Sequence, residues 1–169
     1  AGWKTYLGRP ETDEIRCLAM GVLGGALHVS RPEEALPVLE ASLALEQRHR
    51  LGGDHENILV AQSNVASCLS RLGRDDEALV IERMIYARSV ATLGVSHEET
   101  IRNGNNLTVS LNMNGLLDEA KSFARDRLLP AARGSLGADH DLTLKISKSL
   151  ATALVNHSER TRDDLLEAE

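Results

Sequence analysis

Apolar residues return along this chain at helical spacing inside a longer period. Counted from His55, His97 and His140, an apolar residue stands ten positions on (Val65, Leu107, Leu150), followed by a small one (Ala66, Thr108, Ala151). Three positions later comes a leucine (Leu69, Leu111, Leu154). That spacing puts one buried stripe on each of three amphipathic helices. Gly73 and Gly115 close the first two, and Asp76-Glu77-Ala78 and Asp118-Glu119-Ala120 open a second helix in each case. The second helices run to Leu93-Gly94 and Leu136-Gly137, and with Leu7-Gly8 and Leu51-Gly52 these pairs recur at intervals of 44, 42 and 43 residues. Periods of this size belong to stacked helical repeats.

The pattern predicts an all-α chain, an α-solenoid of antiparallel helix pairs with about three and a half to four repeats. One array covers 1–169, with repeats at about 9–52, 53–94, 95–137 and a partial 138–169. Seven main helices follow, joined near Gly8, Ser30, Gly52, Gly73, Gly94, Gly115 and Gly137, with no strand. Gly8, Gly52, Gly94 and Gly137 fall where a helix ends on a left-handed residue. Asp54, Ser96 and Asp139 then take the N-cap positions, and Ser96 with Glu99 has the spacing of a capping box. The first repeat is more degenerate, with Thr12 in place of the histidine and Gly21, Gly24 and Gly25 in its first helix. Close helix packing explains those glycines better than a bare groove floor does. Pro37 and Pro130 fall inside second helices and should bend them.

Ala1 to Tyr6 align with the last turns of a preceding second helix, and Asp163 to Glu169 reads as the start of another. The chain therefore reads as cut from a longer array, and its uncapped ends suggest self-association. Four aromatic residues (Trp3, Tyr6, Tyr86, Phe123) leave the core to Leu, Val, Ile and Ala. Cys17 and Cys68, without Cys-x-x-Cys spacing, read as buried thiols. The sequence shows neither a membrane span nor a signal peptide, and it reads as cytoplasmic.

The Leu-Gly, Asp-His with Thr-Leu, Asn-Leu-Ala-like core, Gly and Asp-Glu-Ala opening together resemble the 42-residue tetratricopeptide repeats of kinesin light chain. Similar repeats occur in the sensor arrays of some NB-ARC nucleotide-binding proteins. Armadillo repeats have a similar length but need three helices per unit, and only two runs are visible here. The resemblance implies a scaffold whose first helices line a concave, peptide-binding surface. Its inward positions include Asn64, Ser67, Ser70 and Arg71, then Arg102, Asn105, Asn106, Val109, Asn112 and Met113, then Lys145, Lys148, Thr152 and Asn156. Asn64 and Asn106 match asparagines that hold peptide backbone in such grooves, whereas Ser149 and Gly21 depart from them.

Charge sharpens this expectation. The chain carries a formal charge of -6, yet its 25 acids all avoid 15–32, 57–74, 100–117 and 142–158, the four first helices. At this composition each stretch should hold about two or three. Attraction of acids to helix N-termini explains where many of them are, but not the acid-free middle turns. A neutral-to-basic groove follows, suited to an extended, acidic peptide, with no metal and no cofactor. His97-Glu98 begins a zinc-peptidase pattern but Ile101 stands where its second histidine is needed, and no phosphate loop is present, so no enzyme is expected. Few groove aromatics and the negative charge argue against nucleic acid. The alternative is a sensor or structural segment of a larger signalling protein such as an NB-ARC-type NTPase.

Overall fold

The computed structural model describes residues 14–49 and 55–167, with side chains given for 18–48 and 58–156. The elements are α1 (Glu14–Leu27), α2 (Pro32–His49), α3 (His55–Arg71), α4 (Asp75–Leu93) and α5 (Glu98–Met113). They continue with α6 (Leu117–Phe123), a π-helical turn (Ala124–Leu128), α7 (Leu129–Ser135) and α8 (Asp141–Glu167). Residues 117–135 form one rod, so the described residues hold seven helices in neighbouring pairs and no strand, the helical repeat that the spacing predicts. Two compact units divide the chain, one reaching Ile81 and the other starting at Glu82, with the border inside α4.

In the first unit α2 packs against both α1 and α3. Ala35, Leu36 and Leu39 of α2 meet Val65, Ala66, Cys68 and Leu69 of α3 and Ala78 of α4. Close approach requires Gly24, where a Cβ would collide with the Leu39 side chain. The packing explanation therefore holds for Gly24. Cys68 is a free, buried thiol whose Sγ donates to the Pro32 carbonyl at 3.3 Å, and burial pushes its pKa up. The side chain of Cys17 lies outside the described residues.

In the second unit Ile101 of α5 packs with Ala124, Leu128, Leu129 and Ala132 of the rod and with Leu142 and Ile146 of α8. Tyr86 and Phe123 meet edge to face at 5.0 Å, so two of the four aromatics do enter the packing. A bidentate ion pair, Arg83 to Glu119 at 2.5 and 2.7 Å, ties α4 to α6 on the outside. Buried positions along the rod fall at Ala120, Ala124, Leu128 and Ala132. Steps of four residues overrun the 3.6 of an α-helix, and the wider π turn over 124–128 keeps all four on one face. Pro130 follows directly. It has no N–H for the Asp126 carbonyl and its ring crowds that oxygen, so the bend expected at Pro130 takes the form of this turn.

The turns follow the glycines. Gly73, Gly94, Gly115 and Gly137 all have positive φ, from 69° to 98°. After α3 and α5 the Gly amides bond back to Ser70 and Asn112, while the next amides, of Arg74 and Leu116, reach Leu69 and Leu111. That pattern is a Schellman close. Gly8 and Gly52, with Asp54, lie outside the described residues.

Two expectations need correction. The N-cap of α5 is His97 and not Ser96: His97 has extended backbone, its carbonyl takes the Ile101 amide, and its Nδ1 accepts from the Glu99 amide at 3.2 Å. His140 does the same before α8 in place of Asp139, accepting from the Leu142 amide at 3.3 Å. Nδ1 stands as many bonds from the backbone as an aspartate oxygen, so the ring serves as a cap where the helix begins one residue later than read. In these two repeats the histidine is thus a capping residue, whereas His55 is the first residue of α3 and its side chain lies outside the described ones.

The second correction concerns the C-terminal segment. No new helix starts at Asp163; α8 runs unbroken from Asp141 to Glu167. The position equivalent to Gly73 and Gly115 is Ser158, and without glycine there is no cheap left-handed residue to turn the chain. Ala1 to Tyr6 lie outside the described residues.

Candidate functional site

Each unit carries a cleft beside its first helices. In the second, α5 and α8 run side by side and leave a cleft of about 310 Å³ lined by Asn105, Val109, Asn112, Met113, Lys145, Lys148, Ser149 and Thr152. These positions recur every three or four residues on each helix, so one face of each is presented. Asn105, Asn112, Lys145, Lys148 and Thr152, all named from the sequence, are brought together here.

Polar bonds between the helices fix its walls. Asn112 Nδ2 donates to the Ser149 carbonyl at 2.9 Å, and Ser149 Oγ donates to Asn105 Oδ1 at 3.0 Å. Ser149 therefore builds the cleft through the very position that departs from the family asparagine. The Asn112 Oδ1 is buried without a partner among the described residues, which leaves an acceptor beside the cleft that costs free energy until something donates to it. Val109 and Met113 are exposed, placing apolar surface in water one helical turn apart.

The electrostatics differ from a simple basic groove. Lys145 pairs with Asp141 at 2.7 Å, holding that carboxyl below its ordinary range. Arg102 is gripped by both Glu98 and Glu99 at 2.7 and 2.5 Å. Acids just outside the acid-free stretch thus reach one turn forward and neutralise the cations within it. Lys148 is exposed and has no ion pair among the described residues, so the positive potential of this cleft rests on it.

The first unit has a separate cleft of about 290 Å³ lined by Leu18, Gly21, Val22, Leu39, Ser42, Glu46, Val60, Ala61 and Asn64. It is largely apolar. Gly21 leaves room there, since a Cβ would sit 3.6 Å from Ser42 Oγ without a clash. Asn64 reaches this cleft, whereas Ser67 and Arg71 are exposed on α3 outside its lining. Asn106 is half-buried on α5, outside the second cleft's lining.

Sequence reasoning missed Glu82. It occupies the place of Leu39 and Ala124, four residues after Ala35, Ala78 and Ala120, and it is 4% exposed. Its Oε2 has no hydrogen-bond partner among the described residues, and burial pushes its carboxyl up to about 7. The signal was an acid at an apolar position of the repeat. Among the described residues no group of His, Cys, Asp and Glu is placed to hold a metal ion, and no helix is long and apolar enough to cross a membrane.

Paired helices closed by glycine turns, with clefts along the first helices, define a helical-repeat protein. A family model described as tetratricopeptide repeat matches residues 15–89, a little under half of the chain, and the fold is that of a tetratricopeptide-type helical solenoid. Its fold is similar to that of a Podosopora anserina protein described as a kinesin light chain with nearly identical TPR-like repeats. The likeness has TM-score 0.75 at 22% identity, over 95% of this chain and 76% of that one. A point-mutated form of that protein gives 0.76 at 23%, with the same coverage. No curated protein matches the chain.

Proposed function

We propose that this module is an interaction scaffold that binds an extended peptide along its first helices, with the α5–α8 cleft as a principal contact. Tetratricopeptide arrays present surfaces for protein or peptide partners and work by binding. The observation that carries the reading is the convergence, in one cleft, of exposed Val109 and Met113, the amides of Asn105 and Asn112, and the Lys148 ammonium. The chemistry fits a peptide with an apolar side chain on Val109 and Met113 and a carboxylate near Lys148, its backbone bonded to the asparagines. Arg102 and Lys145, already paired, contribute to shape more than to potential. Arg71 adds positive charge in the first unit, where the apolar cleft beside Asn64 offers a seat of its own.

Peptide-array selection followed by fluorescence polarisation tests this. Selected peptides should be enriched in Asp, Glu or a free carboxylate, and affinity should fall with added salt. Lys148→Glu should weaken them roughly twofold to fivefold, the range of one exposed charge pair. Met113→Asp should weaken them further. No acidic preference, together with unchanged affinity in Lys148→Glu, would refute the assignment. In the alternative, a sensor segment of a larger signalling protein such as an NB-ARC-type NTPase, the same cleft contacts another part of its own chain.

A further inference from the structure

One serine decides which way an amide of the second cleft faces. Ser149 of α8 stands where α3 and α5 carry Asn64 and Asn106, nine residues after the histidine. It meets two asparagines of α5 with different atoms. Its Oγ donates to Asn105 Oδ1 at 3.0 Å, while its backbone carbonyl accepts from Asn112 Nδ2 at 2.9 Å. An amide held by its oxygen keeps its N–H groups free, and one held by its nitrogen keeps its oxygen. Asn112 therefore has its nitrogen turned to the wall, and Asn105 is left with its donor end. Asn105 Nδ2 has no partner among the described residues, and the half-buried side chain lines the cleft.

The Ser149 hydroxyl has a second acceptor in reach, the Lys145 carbonyl at 3.1 Å, one turn back on α8. With the proton there, Asn105 would turn over, donate Nδ2 to Oγ and face the cleft with its oxygen. The two arrangements present opposite chemistry to a ligand. In the helical ladder of α8 the Lys145 carbonyl already takes the Ser149 amide, whereas Asn105 Oδ1 has no other donor among the described residues. The proton is therefore needed at Oδ1, which leaves Nδ2 outward.

We propose that Ser149 is a positioning residue for peptide recognition, fixing Asn105 so that its Nδ2 donates to a backbone carbonyl of the bound peptide. This rests on the reading of the α5–α8 cleft as a peptide seat. Asn106, at the position the resemblance assigns to backbone contact, is half-buried outside that lining, and Asn105 takes over the task one residue earlier. An asparagine at position 149 would put bulk where the hydroxyl now fits between α5 and α8. The contact joins two neutral groups, so it answers to geometry and not to ionic strength, unlike the contact of Lys148.

Fluorescence polarisation on the 169-residue chain, with the tightest labelled octapeptide from the array selection, provides the test. Ser149→Ala should weaken binding roughly threefold to tenfold, the range of one neutral hydrogen bond, and by the same factor at low and high salt. The Lys148→Glu loss should shrink as salt rises. Ser149→Thr, which keeps the hydroxyl, should bind like the parent, and circular dichroism should show every variant helical. In an Asn105→Ala background Ser149→Ala should cost nothing more, because one acts through the other. Asn105→Asp, with an oxygen where the donor was, should weaken binding at least as much as Asn105→Ala. Replacing the peptide's amides by esters, one at a time, should reveal one carbonyl whose weakening matters in the parent and not in Ser149→Ala. Full affinity in Ser149→Ala while Lys148→Glu still weakens the peptide would overturn the positioning role and leave the cleft assignment standing. Additive losses from Ser149→Ala and Asn105→Ala, or full affinity in Asn105→Asp, would overturn it equally. Full affinity in Ser149→Ala, Lys148→Glu and Met113→Asp alike would overturn the peptide seat and this role with it.

Discussion

Removing the charge of Glu82 should make the protein more stable at neutral and alkaline pH and change little in acid. The side chain is 4% exposed, and one carboxyl oxygen lacks any partner among the described residues. Its pKa stands at about 7 in the folded chain against an ordinary 4.5. A carboxyl whose folded pKa is raised binds its proton more tightly when folded. Its stabilising contribution is therefore fully present below pH 4.5 and is lost as pH rises through 7. A difference of that size corresponds to about 3 kcal/mol, a large share of the stability of a small domain. Glu82→Gln keeps the shape and cannot ionise. The stability of Glu82→Gln minus that of the parent, from urea melts at a series of pH values, should rise by about 3 kcal/mol between about pH 4.5 and roughly pH 8 and then level off. Glu82→Leu, which installs what the first repeat has at Leu39, should give the same pH-dependent gain. Taking the difference between variant and parent cancels the opposite acid-side dependence of Glu119, whose pKa the Arg83 hydrogen bond lowers. A difference that stays flat with pH would refute the argument, because the carboxylate would then be solvated or paired in the folded state.

Three further outcomes follow from the packing and the turns. Gly104→Ala should destabilise by about 1–3 kcal/mol in thermal or urea melts, because its Cβ would enter the Leu128 side chain in a packed core; Gly134→Ala, with open space around it, should be neutral or slightly stabilising. His97→Ala should cost about 1 kcal/mol by loss of the cap on the Glu99 amide, and His97→Asn should restore most of it. Gly115→Ala, at φ 69°, should cost about 1–2 kcal/mol, and hydrogen exchange should show the loss first at the end of α5.

The repeat, its helix pairs and its turns were legible in the sequence because each is local. A glycine at φ 73° or 86° is dictated within a few residues of itself, and an apolar stripe needs only helical spacing. The acid-free first helices were legible for the same reason, whereas the cleft residues Asn105, Asn112, Lys145, Lys148 and Thr152 were named through the family resemblance. The buried face fixes the opposite one. Even the π turn left a trace, in the four-residue steps from Ala120 to Ala132 beside Pro130.

What the sequence could not decide turns on where side chains end and what stands beside them. That Arg102 and Lys145 are taken up by Glu98, Glu99 and Asp141, and that Ser149 joins Asn105 and Asn112 across two helices, depends on rotamers and helix placement. Glu82 looks like any surface acid until the chain around it closes. Ser158 lets α8 run on because nothing local forbids it. Local chemistry sets the periodicity and the turns, since backbone dihedrals respond to their immediate neighbours. Burial, pairing and exposure are decided by residues distant in sequence, and they exist only once the helices have packed.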